Sequence, residues 1–234
     1  MDTDLPFSGP VKSYPKTGFK LMNLQIEYVH DIDCSWCPIN YANLQTALKT
    51  FDGKINPEIE FLPYQVKPGF PEAGELIADR LMAVNGWTQA QHEEYRVGLL
   101  ATAKAAGVKI DFSKRTHYYN TEKAHRLMHF ASLSDKHVEM NQLLIEGYFS
   151  LGLELNATDQ LLALASRLGL NAEDAAQALE SQERPVELNA KYTRAKQITE
   201  RGVPAIRINQ EHIIKGAKAP EYFENLIARL IGSR

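Results

Sequence analysis

Between Pro71 and Pro185 the chain contains no proline, although 11 are spread through its 234 residues. Proline inside a helix removes a hydrogen bond and clashes with the preceding turn, so a long proline-free run with apolar residues at a spacing near 3.6 reads as helical. Residues 87–105 form one such pattern, interrupted at Gly107. Residues 121–132 form another, with Ala124, Leu127, Met128 and Ala131 on one face. Residues 135–151 follow with Val138, Leu143, Leu144, Tyr148 and Phe149. Thr158 is placed as the cap of a helix that Gly169 stops, and Asn171 opens the next, which ends near Ser181. The expected middle of the molecule is an all-helical block.

Strand patterns lie on either side of it. Met22, Leu24, Ile26 and Tyr28 alternate with polar residues, the period of a strand with one buried face. Ile59 and Phe61 mark a second strand before Pro63. After the block, residues 187–201 read as a helix. Ala205–Ile208 and His212–Lys215 read as a hairpin around Asn209-Gln210-Glu211, and Pro220 starts a terminal helix.

The chain's two cysteines stand in Asp33-Cys34-Ser35-Trp36-Cys37, after the first strand and before a helix carrying Tyr41, Leu44, Ala47, Leu48 and Phe51. A Cys-x-x-Cys turn can close a disulfide, bind a metal, or cycle between thiol and disulfide. The first turn of a helix has unpaired N–H groups and a partial positive charge, which stabilise a thiolate and lower its pKa from about 8.5. Cys34 comes first and is assigned as the attacking thiol, with Cys37, one turn further in, resolving the mixed disulfide. Ser35 and Trp36 add no charge, His30 could add some if protonated, and Asp31 and Asp33 oppose it, so the lowering is expected to be moderate. Pro38 is expected to loosen the start of this helix.

Hydrophobic residues at 44%, charged residues at 24% and a net charge of -3 give no electrostatic reason to expect nucleic acid or an anionic membrane as partner. No apolar run approaches the roughly 20 residues of a membrane span. Residues 1–18, with Pro6, Pro10 and Pro15, lack the basic and apolar regions of a signal peptide and read as a flexible arm, so a cytoplasmic address is expected.

The order of elements, with Cys-x-x-Cys after the first strand, resembles the DsbA family, and in detail its FrnE-like branch of thiol-disulfide oxidoreductases. Three segments carry the likeness: Asp31-Ile32-Asp33-Cys34-Ser35-Trp36-Cys37, Tyr119-Asn120-Thr121-Glu122-Lys123-Ala124-His125-Arg126-Leu127, and Gly202-Val203-Pro204-Ala205. The resemblance implies an α/β thioredoxin-like fold interrupted by an all-helical insertion. The thioredoxin-like part would comprise residues 19–68 and 186–234, with residues 69–185 as the insertion. It implies a cis Pro204 against the cysteines, presenting the backbone of Val203 to a substrate, where the residues alone would also allow a trans proline opening an edge strand. It implies that His125 and Arg126 line the groove over the cysteines, and that disulfide-containing proteins or small molecules are the partners. Ser35 and Trp36, between the cysteines, are expected to bind substrate, Trp36 by stacking on it, where it could otherwise only shield the disulfide. The chain departs from the branch at Ser35, where proline is usual, and at Pro38, where an aromatic is common, so the direction of electron flow is not inherited. Relatives of this branch include glutathione-dependent isomerases and kappa-type glutathione transferases, which typically place serine where Cys34 stands.

Other chemistries are open to these residue types. Zinc wants four ligands and the cysteines supply half, so no metal is expected. His125 and His129 share a helix face, for which packing or hydrogen-bonding roles are favoured over ligation. Lys191, Arg194, Lys196 and Arg201 read as a solvated face, with glutathione's carboxylates as the other use. Glu27 and Asp31 are both candidates for a buried carboxylate that moves protons for Cys37. The expectation is therefore disulfide exchange through the cysteines themselves without a bound cofactor, with glutathione as a candidate co-substrate. The alternatives are a glutathione-dependent isomerase or transferase, and a non-catalytic module whose cysteines hold a metal or a structural disulfide. Oligomeric state is left open.

Overall fold

The structure, a computed structural model, describes residues 21–232; the expected arm at residues 1–18 lies outside them. Strand β1 (Met22–His30) is the centre of the sheet. It runs parallel to β2 (Ile55–Pro63), pairing Met22 with Ile55 through to His30 with Pro63. On its other side it is antiparallel to β5 (Ala205–Ile208), which pairs in turn with β6 (His212–Lys215), giving the order β2-β1-β5-β6.

The two faces of β1 are covered differently, as alternation requires. Met22, Leu24, Ile26 and Tyr28 join Ile39, Leu44 and Leu48 of α1 (Trp36–Lys49) and Phe223 and Ile227 of α9 (Pro220–Gly232) in the main core. Val29 faces the other way, with Leu62, Ala205 and the Ala195 and Ile198 of α8 (Val186–Ile198). Glu27 shares that second face, where it meets Arg207 across the strand pair and Arg194 of α8. Helix α8 stops earlier than expected: Thr199 is extended, and its hydroxyl donates to the Gly202 carbonyl at 2.8 Å, turning the chain toward Val203.

The middle segment holds α2 (Ile77–Asn85), α3 (Gln89–Ala105), α4 (Glu122–Ser132), α5 (His137–Glu146), α6 (Thr158–Arg167) and α7 (Ala172–Glu180). It is not wholly helical. Glu75–Leu76 (β3) pairs antiparallel with His117–Tyr118 (β4), and strands of two residues carry no periodicity to read. Helix α3 begins after Thr88, which forms a reciprocal cap with Gln91, while Trp87 stays outside and packs on Tyr95. Helix α5 begins at His137, since Asp135 has φ +55°, and its continuation at Gly147–Leu151 is a π-turn. Thr158 is the first helical residue, not the cap; its hydroxyl is engaged by Lys123 and Glu180. Asn171 does cap α7, accepting from Glu173 and Asp174. Helix α1 runs unbroken across Pro38, which occupies its first turn, where an N–H has no intrahelical partner to lose. Among the described residues no helix is long and apolar enough to cross a membrane.

Gly152 ends the π-turn at φ +78°, and a Cβ there would meet the Lys114 carbonyl oxygen at 3.0 Å. Gly53 has a similar φ of +76° but open space around it. Gly53→Ala should therefore lose about 1–2 kcal/mol from the left-handed backbone alone, and Gly152→Ala should lose more. Urea denaturation of both variants checks this; equal losses would mean that the Lys114 contact is without effect.

Candidate active site

The chain leaves β1 at His30 and turns through Asp31, Ile32 and Asp33 into the dithiol. The Cys34 N–H donates to the Asp31 carbonyl at 3.3 Å, and the Cys37 N–H to the Cys34 carbonyl at 3.1 Å. Ser35 is the residue before α1, so Cys34 stands at the mouth of the helix and Cys37 in its first turn. Both are free thiols; Cys34 is half-buried and Cys37 only 1% exposed. From the far end of the chain, the Val203 carbonyl lies 3.7 Å from the Cys34 Sγ, and the Val203–Pro204 peptide is cis.

The two sulfurs are made unequal by their surroundings. The Cys37 thiol donating to Cys34 holds the Cys34 pKa below its ordinary value; burial opposes this, and the backbone N–H groups of Trp36 and Cys37 reinforce it. Burial pushes Cys37 well up, and its hydrogen bond to Cys34 adds to the rise. His30 contributes no charge to the thiolate, because burial and then the neighbouring His125 hold its imidazole well below the usual range, neutral at pH 7.

Beneath the thiols lies a buried polar layer. Asp31 is 0% exposed, and its carboxylate accepts from the Ile32 N–H at 2.9 Å and the Val66 N–H at 2.6 Å, with His125 Nε2 at 3.1 Å. Asp33 is also buried; burial raises its carboxyl well above the usual range, Asp31 and Cys34 add to this, and Arg115 works against it. Arg115 donates to the Asp33 carbonyl at 2.8 Å, and its guanidinium sits within a cage of Phe149, Tyr148, Tyr118 and Phe112 at 4.6 to 5.9 Å from their ring centres. On the other side, the Tyr28 hydroxyl donates to the Cys37 carbonyl at 2.7 Å and accepts from Asn40, whose Oδ1 accepts from the Lys218 N–H at 2.8 Å.

The expected site residues divide accordingly. Cys34, Cys37, Val203, Pro204 and Asp31 come together. Glu27 does not join them: its carboxylate is held by Arg207 and Arg194 on the α8 face. His125 is buried against Asp31 rather than lining an open groove. Arg126 is also buried, paired with Glu122 at 2.9 Å and donating to the Glu183 carbonyl at 3.1 Å. Ser35 is 7% exposed, and Trp36 is half-buried, packed on the core beside Tyr95. Lys191 and Arg194 pair with Glu60. His129 lines a cavity of about 230 Å³ with His30, His125, Phe61 and Lys191. Among the described residues no three His, Cys, Asp or Glu side chains gather as a metal site. Sequence reasoning missed Arg115 and Tyr28. Tyr28 is legible only as a core residue of β1, and Arg115, though flanked by Phe112 and Tyr118, meets Tyr148, Phe149 and the Asp33 carbonyl only through the fold.

The comparisons with known proteins agree with this geometry. The DSBA-like thioredoxin domain family matches residues 25–228, a span that includes both cysteines and Val203-Pro204. The uncharacterized protein YwbO of Bacillus subtilis (strain 168) is 24% identical over 208 residues, covering 88% of this chain and 97% of that protein. A solved structure described as a "probable DsbA oxidoreductase" from Streptomyces coelicolor superposes with a TM-score of 0.83 at 26% identity, covering 90% of this chain and 91% of that one. The cytosolic disulfide reductase DsbM of Pseudomonas aeruginosa, solved with glutathione, shares the fold at TM-score 0.61 and 14% identity, covering 88% of this chain and 98% of that one. With its strand-Cys-x-x-Cys-helix unit, its Val203-Pro204 loop against the thiols and a family match over most of its length, the chain belongs to the DSBA-like thioredoxin domain family.

Proposed function

We propose that this protein is a thiol-disulfide oxidoreductase in which Cys34 attacks and Cys37 resolves. The observation that carries the reading is the inequality of the two thiols: a half-exposed one held toward the thiolate, and a buried one held toward the protonated form. The Cys34 thiolate attacks one sulfur of a substrate disulfide, and the other sulfur leaves with the electron pair as a thiolate. Cys37 then loses its proton and attacks Cys34. The Cys34–substrate bond breaks, the second substrate sulfur leaves as a thiolate and takes up a proton, and the Cys34–Cys37 disulfide remains. The substrate is reduced and the dithiol oxidised by two electrons; the reverse sequence oxidises a substrate dithiol.

Asp31 is the acceptor for the Cys37 proton in this reading. It is buried beside the thiols, close enough for its charge to act on both, and Glu27 is committed to two arginines. The substrate backbone pairs with Val203, and a surface depression of about 780 Å³ lined by Thr199, Gly202, Val203, Pro204 and Lys215 gives it room alongside. No bound cofactor enters the cycle. Glutathione fits as a co-substrate, which makes a cytoplasmic location part of the proposal. Isomerisation of protein disulfides would use the same first attack.

Three measurements test this. Thiol trapping across graded glutathione buffers should show Cys34 and Cys37 titrating together as one two-electron couple, for which about 30 mV corresponds to 1.4 kcal/mol. Cys34→Ser should abolish disulfide exchange, while Cys37→Ala should accumulate a mixed disulfide on Cys34, detectable by mass; undiminished turnover in Cys37→Ala would support the glutathione-dependent isomerase or transferase reading instead.

The pH dependence has a definite sign. Absorbance at 240 nm of the reduced protein should rise through a midpoint below about 8.5, the value of a free thiol. Because the Cys37 hydrogen bond is the largest lowering influence on Cys34, Cys37→Ala should shift that midpoint upward. An unchanged midpoint would show that the helix end, not Cys37, sets the Cys34 thiol.

A further inference from the structure

The buried Asp31 carboxylate is met by three N–H groups, and two of them, from Ile32 and Val66, belong to the backbone. The third is His125 Nε2, brought by α4 from 94 residues further along the chain. That nitrogen lies 3.1 Å from Asp31 Oδ1 and 3.0 Å from the Tyr64 carbonyl oxygen. Both neighbours are acceptors, so the nitrogen between them carries the hydrogen, and the geometry sets which face of the imidazole donates.

The ring is locked in this position. It is 2% exposed and lies edge-on to His30 at 5.8 Å and to Tyr192 of α8 at 6.1 Å. The titratable and charged groups facing the Asp31–His125 contact are His30 from β1, Asp33, Cys34 and Cys37 from the dithiol segment, and Tyr192 from α8. None of the hydrogen bonds made by His125 reaches a sulfur atom.

We propose that His125 is a positioning residue for the resolving half of the exchange, holding the Asp31 carboxylate where it takes the proton from Cys37. The inference rests on the reading of Asp31 as proton acceptor. In the step concerned, the Cys37 S–H bond breaks and its proton passes to a carboxylate oxygen of Asp31. The freed electron pair forms the bond to Cys34, and the Cys34–substrate bond breaks with its pair on the substrate sulfur. Oδ2 is occupied by the Val66 N–H, so His125 and Ile32 together hold Oδ1, and with it the tilt of the whole group. Without the imidazole, Oδ1 keeps only the Ile32 N–H as a backbone donor, with the Asp33 carboxyl as the group's remaining side-chain partner, and the orientation set from α4 is lost.

The test separates attack from resolution in single turnovers. A disulfide peptide that releases a chromophore on attack reports Cys34, and acid-quenched mass analysis follows decay of the mixed disulfide, in wild type, Asp31→Asn, His125→Gln and His125→Leu. His125→Leu should slow resolution by about tenfold or more and slow attack by less. His125→Gln, whose amide N–H reaches near the place of Nε2, should recover most of the resolution rate. If Leu and Gln variants resolve alike, or if thermal stability falls while the ratio of attack to resolution stays fixed, the positioning role is overturned. Asp31→Asn resolving at the wild-type rate would instead overturn the reading of Asp31 itself. Should His125→Leu not fold, ¹⁵N NMR of the wild-type imidazole decides: the Nε2–H form, with a resonance that moves in Asp31→Asn, supports the role, and an Nδ1–H form overturns it.

Discussion

A carboxylate with no exposure to water must be surrounded by donors, and the arrangement of this protein around its thiols follows from that requirement. Removing one partner of a buried charge costs about 3–5 kcal/mol, more than the roughly 1.5–3 kcal/mol of a single hydrogen bond to a charged group. Asp31 is satisfied only when the turn after β1, the segment after β2 and helix α4 are all in place. The same contacts fix the turn that delivers Cys34 to the mouth of α1. The buried carboxylate thus acts as a structural tie.

The unequal thiols are a second expression of geometry. The helix end serves Cys34 through the N–H groups of Trp36 and Cys37, and depth in the fold serves Cys37. Ser35 and Trp36 add no charge, so the asymmetry arises from the backbone, burial and the pair's own hydrogen bond. Trp36 is anchored by Tyr95 of α3, and this makes the rim of the site partly a property of the helical segment. Arg115 does the same from below: a cation enclosed by aromatic rings, keeping its charge and directing a donor at the Asp33 carbonyl.

Features written in local chemistry were legible in the sequence. Asn171 has the side chain a helix start needs, and the hairpin at Asn209-Gln210-Glu211 opens with Asn209 at positive φ, where its short amide side chain is favoured, although Gln210 follows it there without that advantage. The alternation in β1 announced a one-sided core. Features settled by distant partners were not legible. Thr158 looked like a cap, but Lys123 and Glu180 take its hydroxyl from other helices. Glu27 and Asp31 were equivalent as acids on paper; the sheet turns one toward Arg207 and the other toward His125. His125 and Arg126 lay in a recognisable segment, yet their burial, and so their separation from the substrate surface, depends on α4 facing inward.

The Arg115 contact bears on how such a protein can be taken apart. A chain read as a compact unit with a long insertion invites the view that the inserted segment is detachable, free to be trimmed or exchanged to suit new substrates. Here the segment supplies Arg115 to the Asp33 carbonyl and His125 to Asp31. Excision would leave two buried acceptors beside the dithiol without those donors, and a minimal version carrying only the sheet and its covering helices would inherit the cysteines without their foundation. Changes on the exposed surfaces of these helices would leave both contacts in place, whereas changes at the root of the insertion would reach the turn that carries the thiols.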